Sequence, residues 1–116
     1  MTPRVLLTDI DQAAADIRSF TQGMDNVSFA TDERTQAAVE CKFEIIGEAV
    51  NRLHAVHPDM ARRIPDMLRL IDFRNHLAHG YDSVAPELVW RHIVSDLPEL
   101  IDAVEGLLEE LPESSG

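Results

Sequence analysis

Val39-Glu40-Cys41-Lys42-Phe43-Glu44-Ile45-Ile46-Gly47-Glu48-Ala49-Val50-Asn51-Arg52-Leu53 is the stretch whose pattern decides the fold. Val39, Phe43, Ile46, Val50 and Leu53 recur at steps of four and three, which line one face of a helix. The helix containing them is predicted to be the longest in the chain, from about Asp32 to Val56. Thr31 is placed to cap it, with Asp32 and Glu33 in the first turn where the helix dipole favours acids. Pro58 ends it. Gly47 costs about 1 kcal/mol against alanine inside a helix, and a glycine there usually lets another helix come close.

The same period extends in both directions. A first helix is expected from about Pro3 or Val5 to Thr21, with Leu6, Ile10, Ala13, Ile17 and Phe20 on its inner face. Gly23 and residues 24–30 read as a loop. A short turn of helix is expected through Met60 and Arg63. A third major helix should run from about Pro65 to His79, with Gly80 just past its end where a left-handed backbone is favoured. A fourth starts near Pro86, with Val89, Ile93 and Leu97 inward and Trp90 beside them. Pro98 should kink or break it. Ile101, Val104, Leu108 and Leu111 continue a last segment, and residues 112–116 form a frayed tail. No stretch alternates as a strand does. The expectation is an all-α, up-down bundle of four to five helices, one domain over residues 1–116, with antiparallel neighbours.

Composition agrees. In 116 residues, 45% are hydrophobic, 27% charged and only 5% aromatic, so the core should be aliphatic. The net charge of −11, from 21 acidic and 10 basic residues, repels nucleic acid at long range. It argues against a protein that coats nucleic acid without preference, but a local cluster of arginines can still oppose the global field. Cys41 is the only cysteine, so no intrachain disulfide is possible. Asp9 and Asp11 interrupt the first apolar stretch, unlike a signal peptide, and no apolar run nears the ~20 residues that cross a bilayer. A soluble, cytoplasmic protein with no membrane association is expected.

Arg74-Asn75-His76-Leu77-Ala78-His79-Gly80-Tyr81 gathers the reactive side chains. Ile64, Leu68 and Ile71 set an apolar stripe whose next positions are Asn75 and then Ala78 or His79. Either these polar groups satisfy each other and the backbone, or the stripe leaves the core there and meets a cleft or a second subunit. Asn75 and His79, four apart, share a face. Arg74 points about 140° away from His79. A site using both needs the helix end to unwind, or needs a second copy. The chemistry suits metal-free RNA cleavage. Histidine takes and gives protons near neutrality, and arginine grips phosphate oxygens. The same residues can instead cap helix carbonyls and complement the dipole.

Other candidates surround this set. Glu48 can pair with Arg74 and orient it or His79, or simply be solvated. Arg62, Arg63 and Arg69 either flank a groove towards His79 or pair with Asp59 and Asp66; pairing is the expectation. His54 with His57, and His76 with His79, have metal-compatible spacing, and His92 lies further on. With no HExxH and no cysteine pair, no metal is expected. Glu99, Asp102, Glu105, Glu109, Glu110 and Glu113 read as a solvated acidic face open to a basic partner.

The order Arg74, His79, Tyr81 forms an Arg-x4-His-x-Tyr motif, with Asn75 directly after the arginine. Together with Ile46-Gly47-Glu48-Ala49, Val89-Trp90 and Asp96-Leu97-Pro98, it makes nearly the whole chain resemble HEPN domains of the HepT-like branch. The resemblance implies a HEPN-type bundle and a toxin of a toxin–antitoxin pair, encoded beside a MntA-like minimal nucleotidyltransferase antitoxin. It also implies a metal-independent RNase that needs no cofactor. In this family a homodimer brings two motifs together, and the partner silences the RNase by adding AMP to the motif tyrosine, by position Tyr81. On that basis Arg74 and His79 are catalytic, Asn75 positions them, and Glu48 and His76 support them. The alternative is a non-catalytic HEPN module that binds a nucleotide or a partner, which the acidic surface keeps open.

Overall fold

The computed structural model describes residues 2–79 and 84–112. Its elements are α1 (Pro3–Phe20), α2 (Asn26–Ala30), α3 (Glu33–Val56), α4 (Pro58–Ala61), α5 (Met67–Ala78), α6 (Pro86–Arg91), a π turn (His92–Asp96) and α7 (Leu97–Glu110). Among the described residues there is no strand, and the expected all-α bundle is what forms. Four rods carry it, namely α1, α3, α5 and the continuous α6–π–α7 segment. None of these helices is long and apolar enough to cross a membrane.

The long helix buries the face its period marks, with Val39, Phe43, Ile46, Val50 and Leu53 at 1% exposure or less. Packed on it, α1 buries Leu6, Ile10, Ala13 and Ile17 as expected, while Phe20 stays 41% exposed at the helix end. Asp16 pairs with Lys42 at 3.0 Å, whereas Leu6 shares a groove with Ala49 and Arg52. The two helices therefore run antiparallel. At the other edge, Arg63 pairs with Glu110 and ties the turn after α4 to the end of α7. Arg4 donates to the carbonyls of Leu111 (3.2 Å) and Pro112 (2.9 Å).

Four local expectations are corrected or narrowed. Residues 26–30 are a short helix rather than loop, started by a reciprocal capping box in which Asp25 accepts the Ser28 N–H and the Ser28 hydroxyl accepts the Asp25 N–H. That turn delivers Phe29 into the core at 0% exposure, with its ring 5.3 Å from Trp90. Thr31 does not cap α3. Its hydroxyl bonds back to the Ser28 carbonyl, and Asp32 caps instead by accepting the Thr35 N–H at 3.0 Å. Of the two outcomes expected at Pro98, a kink or a break, the break does not occur. Pro98 has no N–H to give to the preceding turn, and the chain widens into the π turn just before it, so α7 continues in the same rod. Finally, α5 starts at Met67, after Asp66 in a left-handed conformation (φ 53°).

Phe29→Ala is expected to destabilise the fold by about 3–5 kcal/mol in urea denaturation, the cost of truncating a fully buried ring. A change below about 0.5 kcal/mol would fit an exposed loop residue instead.

Candidate functional site

The apolar face of α5 is not the one its sequence suggests. Leu70 (2% exposed) and Phe73 (5%) enter the core with Leu77 packed beside them, while Leu68 stands 64% exposed. Two apolar stripes share this helix, and contact with α3 selects between them. At the contact Gly47 lets the helices meet: a Cβ there would overlap the Cβ of Arg74 and lie 3.0 Å from the Leu70 carbonyl oxygen. The stripe of Leu68, half-buried Ile71, Asn75 and Ala78 is left on the outside.

That close approach fixes Arg74. Its Nη2 donates to Oε2 of Glu48 at 2.7 Å, and its Nη1 donates to Oδ1 of Asn75 at 3.0 Å. Glu48 also accepts from Nε of Arg52 at 2.9 Å, so one carboxylate is held between two guanidinium groups. Sequence reasoning named the Glu48–Arg74 pair, and the structure brings the two together. Arg74 is about one-third exposed along its side chain and borders a groove with Glu48 and Ala78, open to solvent.

His79 follows the last turn of α5 with helical backbone angles (φ −87°, ψ −6°). Its Nδ1 donates to the Asn75 carbonyl oxygen at 2.8 Å, which also accepts the His79 N–H at 3.1 Å. The capping role foreseen for this residue is therefore present. Because a carbonyl only accepts, Nδ1 carries the proton, and the lone pair of the neutral ring sits on Nε2. Asn75 thus touches both partners by different atoms, Arg74 through its side chain and His79 through its backbone. No direct Arg74–His79 contact occurs among the described residues. Tyr81 and Gly80 lie outside the described residues.

His76 is exposed and lines a different pocket, on the flank of α5 away from Arg74. The three arginines mostly pair, as expected: Arg62 with Asp59, and Arg69 with Asp66 at 3.9 Å. Arg63 takes Glu110 instead, and Arg69 also reaches Asp96 at 3.3 Å. His54 is exposed and His57 sits at the junction of α3 and α4, where its backbone N–H donates to the Leu53 carbonyl. Among the described residues no three His, Cys, Asp or Glu side chains gather closely enough to hold a metal ion.

Sequence reasoning missed the buried pair His92 and Asp96, at 6% and 5% exposure, with Nδ1 2.5 Å from Oδ2. Their four-residue spacing was the available signal, since it places both on one face of a helix.

Comparison with known proteins agrees with this architecture. The family described as "Ribonuclease HepT-like" matches residues 10–107. A Thermococcus cleftensis protein named "Probable ribonuclease HepT" is 34% identical over 105 residues, covering 87% of this chain and 91% of that protein. A Methanocaldococcus jannaschii protein whose name reads "Putative RNase" is 32% identical over 110 residues, covering 93% of this chain and 88% of that one. No solved structure matches.

Proposed function

Because the chain belongs to the HepT-like ribonuclease family, we propose that it is the toxin of a HepT/MntA-type pair, a cytoplasmic, single-domain, metal-independent endoribonuclease acting as a homodimer. The observation that carries this is the hydrogen bond from Nδ1 of His79 to the Asn75 carbonyl, which leaves Nε2 as a proton acceptor. His79 takes the proton of a ribose 2′-hydroxyl. The 2′ oxygen attacks the adjacent phosphorus, the bond to the 5′ oxygen breaks, and a cyclic phosphate and a 5′-hydroxyl result. The protonated His79 passes its proton through water to the leaving oxygen. Arg74 stabilises the charge that builds on the phosphoryl oxygens, held in place by Glu48 and Asn75.

Two features support a site shared between copies. Arg74 leans towards α3 while His79 sits at the end of α5, and the stripe Leu68–Ile71–Asn75–Ala78 faces outward beside them. A self-complementary apolar stripe is what a two-fold interface uses. In this account the antitoxin is a MntA-like nucleotidyltransferase and Tyr81 is its target. The phenolic oxygen attacks the α-phosphorus of ATP and pyrophosphate leaves. The added charge and bulk then exclude an RNA phosphate. The net charge of −11 favours one other reading, a non-catalytic module that binds nucleotide or partner through the same residues.

Mixing tests the shared site. Arg74→Ala and His79→Ala are each expected to be inactive alone. A refolded one-to-one mixture should recover roughly a quarter of wild-type cleavage, since half of the dimers then carry one intact composite site. No recovery from two dimeric variants would place both residues of a site within one copy.

Glu48→Gln should lower kcat roughly tenfold with little change in melting temperature, because a slightly displaced arginine costs rate rather than stability. Unchanged kcat would remove Glu48 from the account.

A further inference from the structure

On the flank of α5 opposite Arg74, a pocket of about 330 Å³ lies against the α6–π segment, lined by Arg69, Asp72, Phe73, His76, Leu88 and His92. The catalytic account uses none of the groups that shape it except His76. Its inner wall is unusual for a helical bundle. His92 is buried, its ring stacks on Phe73 with centroids 4.1 Å apart and planes 21° apart, and its Nδ1 meets Oδ2 of Asp96 at 2.5 Å. Arg69 donates to the same Asp96 oxygen at 3.3 Å. A buried imidazole–carboxylate pair is a weak source of stability, because desolvation offsets the attraction. It does fix one ring orientation and one tautomer. Nδ1–H donates to the carboxylate, and the edge His92 can offer the pocket is Nε2, an acceptor in the neutral ring. π turns of this kind occur frequently at functional sites.

The chemistry selects among ligands. Asp66, Asp72 and Asp96 set three carboxylates against the single guanidinium of Arg69 in this neighbourhood, which disfavours a phosphate. Asp72 and Nε2 of His92 offer acceptors, Arg69 offers donors, and Phe73 and Leu88 offer apolar surface. The volume is at the small end of ligand pockets, which span roughly 300–1,000 Å³, and suits one flat ring system. A guanine presents N1–H and the N2 amino group side by side as donors, with O6 and N7 as acceptors nearby. Adenine and cytosine present one amino group. Uracil presents a single N–H between two carbonyls, which a carboxylate repels. His76 and His79 are three residues apart on α5, about 4.5 Å along its axis, so a nucleotide seated here is a neighbour of the one cut at His79.

We propose that this pocket is a base-recognition subsite for guanine in single-stranded RNA, with Asp72 and His92 as acceptors and Arg69 as donor. It rests on the ribonuclease function above, and it gives that enzyme a preference for cutting beside G.

The test separates the two claims. Wild-type protein is titrated by NMR with guanosine, adenosine, cytidine and uridine, which carry no phosphate and are not cleaved. Guanosine should bind most tightly and shift the resonances of Asp72 and His76. Asp72→Asn, an exposed change that leaves the core intact, should weaken guanosine roughly tenfold, as loss of a charge-assisted hydrogen bond does. Leu88→Trp, also at the surface, should fill the pocket and abolish binding. Cut sites on a random RNA pool, read by sequencing, should cluster beside G for wild type and lose that bias in Asp72→Asn. Equal binding of all four nucleosides, or guanosine binding unchanged in both folded variants, overturns the proposal. Selective guanosine binding with no RNA cleavage supports the pocket and overturns only the ribonuclease function.

Discussion

Gly47→Val is expected to destabilise the protein by about 3 kcal/mol, the upper end of the usual cost of overpacking, and to lower Tm by roughly 10 °C. In an isolated helix, replacing glycine would stabilise by up to about 1 kcal/mol. Here the sign reverses, because even a Cβ at Gly47 overlaps the Cβ of Arg74 and crowds the Leu70 carbonyl at 3.0 Å. Neither atom is the free end of a flexible side chain, so α3 and α5 must move apart. The movement carries Arg74 away from Glu48, and RNA cleavage should fall with stability. Gly106→Ala is the control. A Cβ there meets nothing within 4 Å in α7, and stability should rise by about 0.5–1 kcal/mol. A stable, fully active Gly47→Val would show that the two helices need no such contact.

Arg74→Ala is expected to lower kcat by about 100- to 1,000-fold, the cost of losing one preorganised donor to a developing oxyanion. Its melting temperature should change little, since Glu48 keeps Arg52 as a partner at 2.9 Å. Arg74→Lys should fall between wild type and alanine. It retains the charge but cannot donate to Glu48, Asn75 and a phosphate in one plane. Cleavage assays with saturating RNA, read beside a thermal melt, check both. A loss of stability equal to the loss of rate would make Arg74 a structural residue only.

The sequence patterns differ in how much of this they made legible. Val39, Phe43, Ile46, Val50 and Leu53 marked the buried face of α3 because a single apolar stripe admits only one solution. Gly47 announced a close approach because nothing else explains a glycine there. On α5 the same logic failed. Ile71 fits one stripe and Leu70, Phe73 and Leu77 another, and only the docking of α3 decides which is buried. The stripe read as core became the outward one, and its turn from Leu68 to Asn75 is then no conflict with burial. Phe29 was hidden by reading Gly23 and residues 24–30 as a loop, although Asp25 and Ser28 already had the spacing of a capping box. The π turn depends on how the rod accommodates Pro98, which periodicity does not encode, whereas the four-residue spacing of His92 and Asp96 was there to be read. The candidate site was visible as residue types. Its geometry was not, because whether Nδ1 or Nε2 of His79 is free depends on which carbonyl the ring meets.

RNA cleavage in EDTA by the purified wild-type protein, beside His79→Ala prepared identically, tests the central claim most directly. Wild type should cleave with EDTA present, and His79→Ala should be slower by about 100-fold or more, the range lost with a general base. Equal cleavage by the two, or wild-type cleavage that appears only when a divalent metal is added, would contradict it.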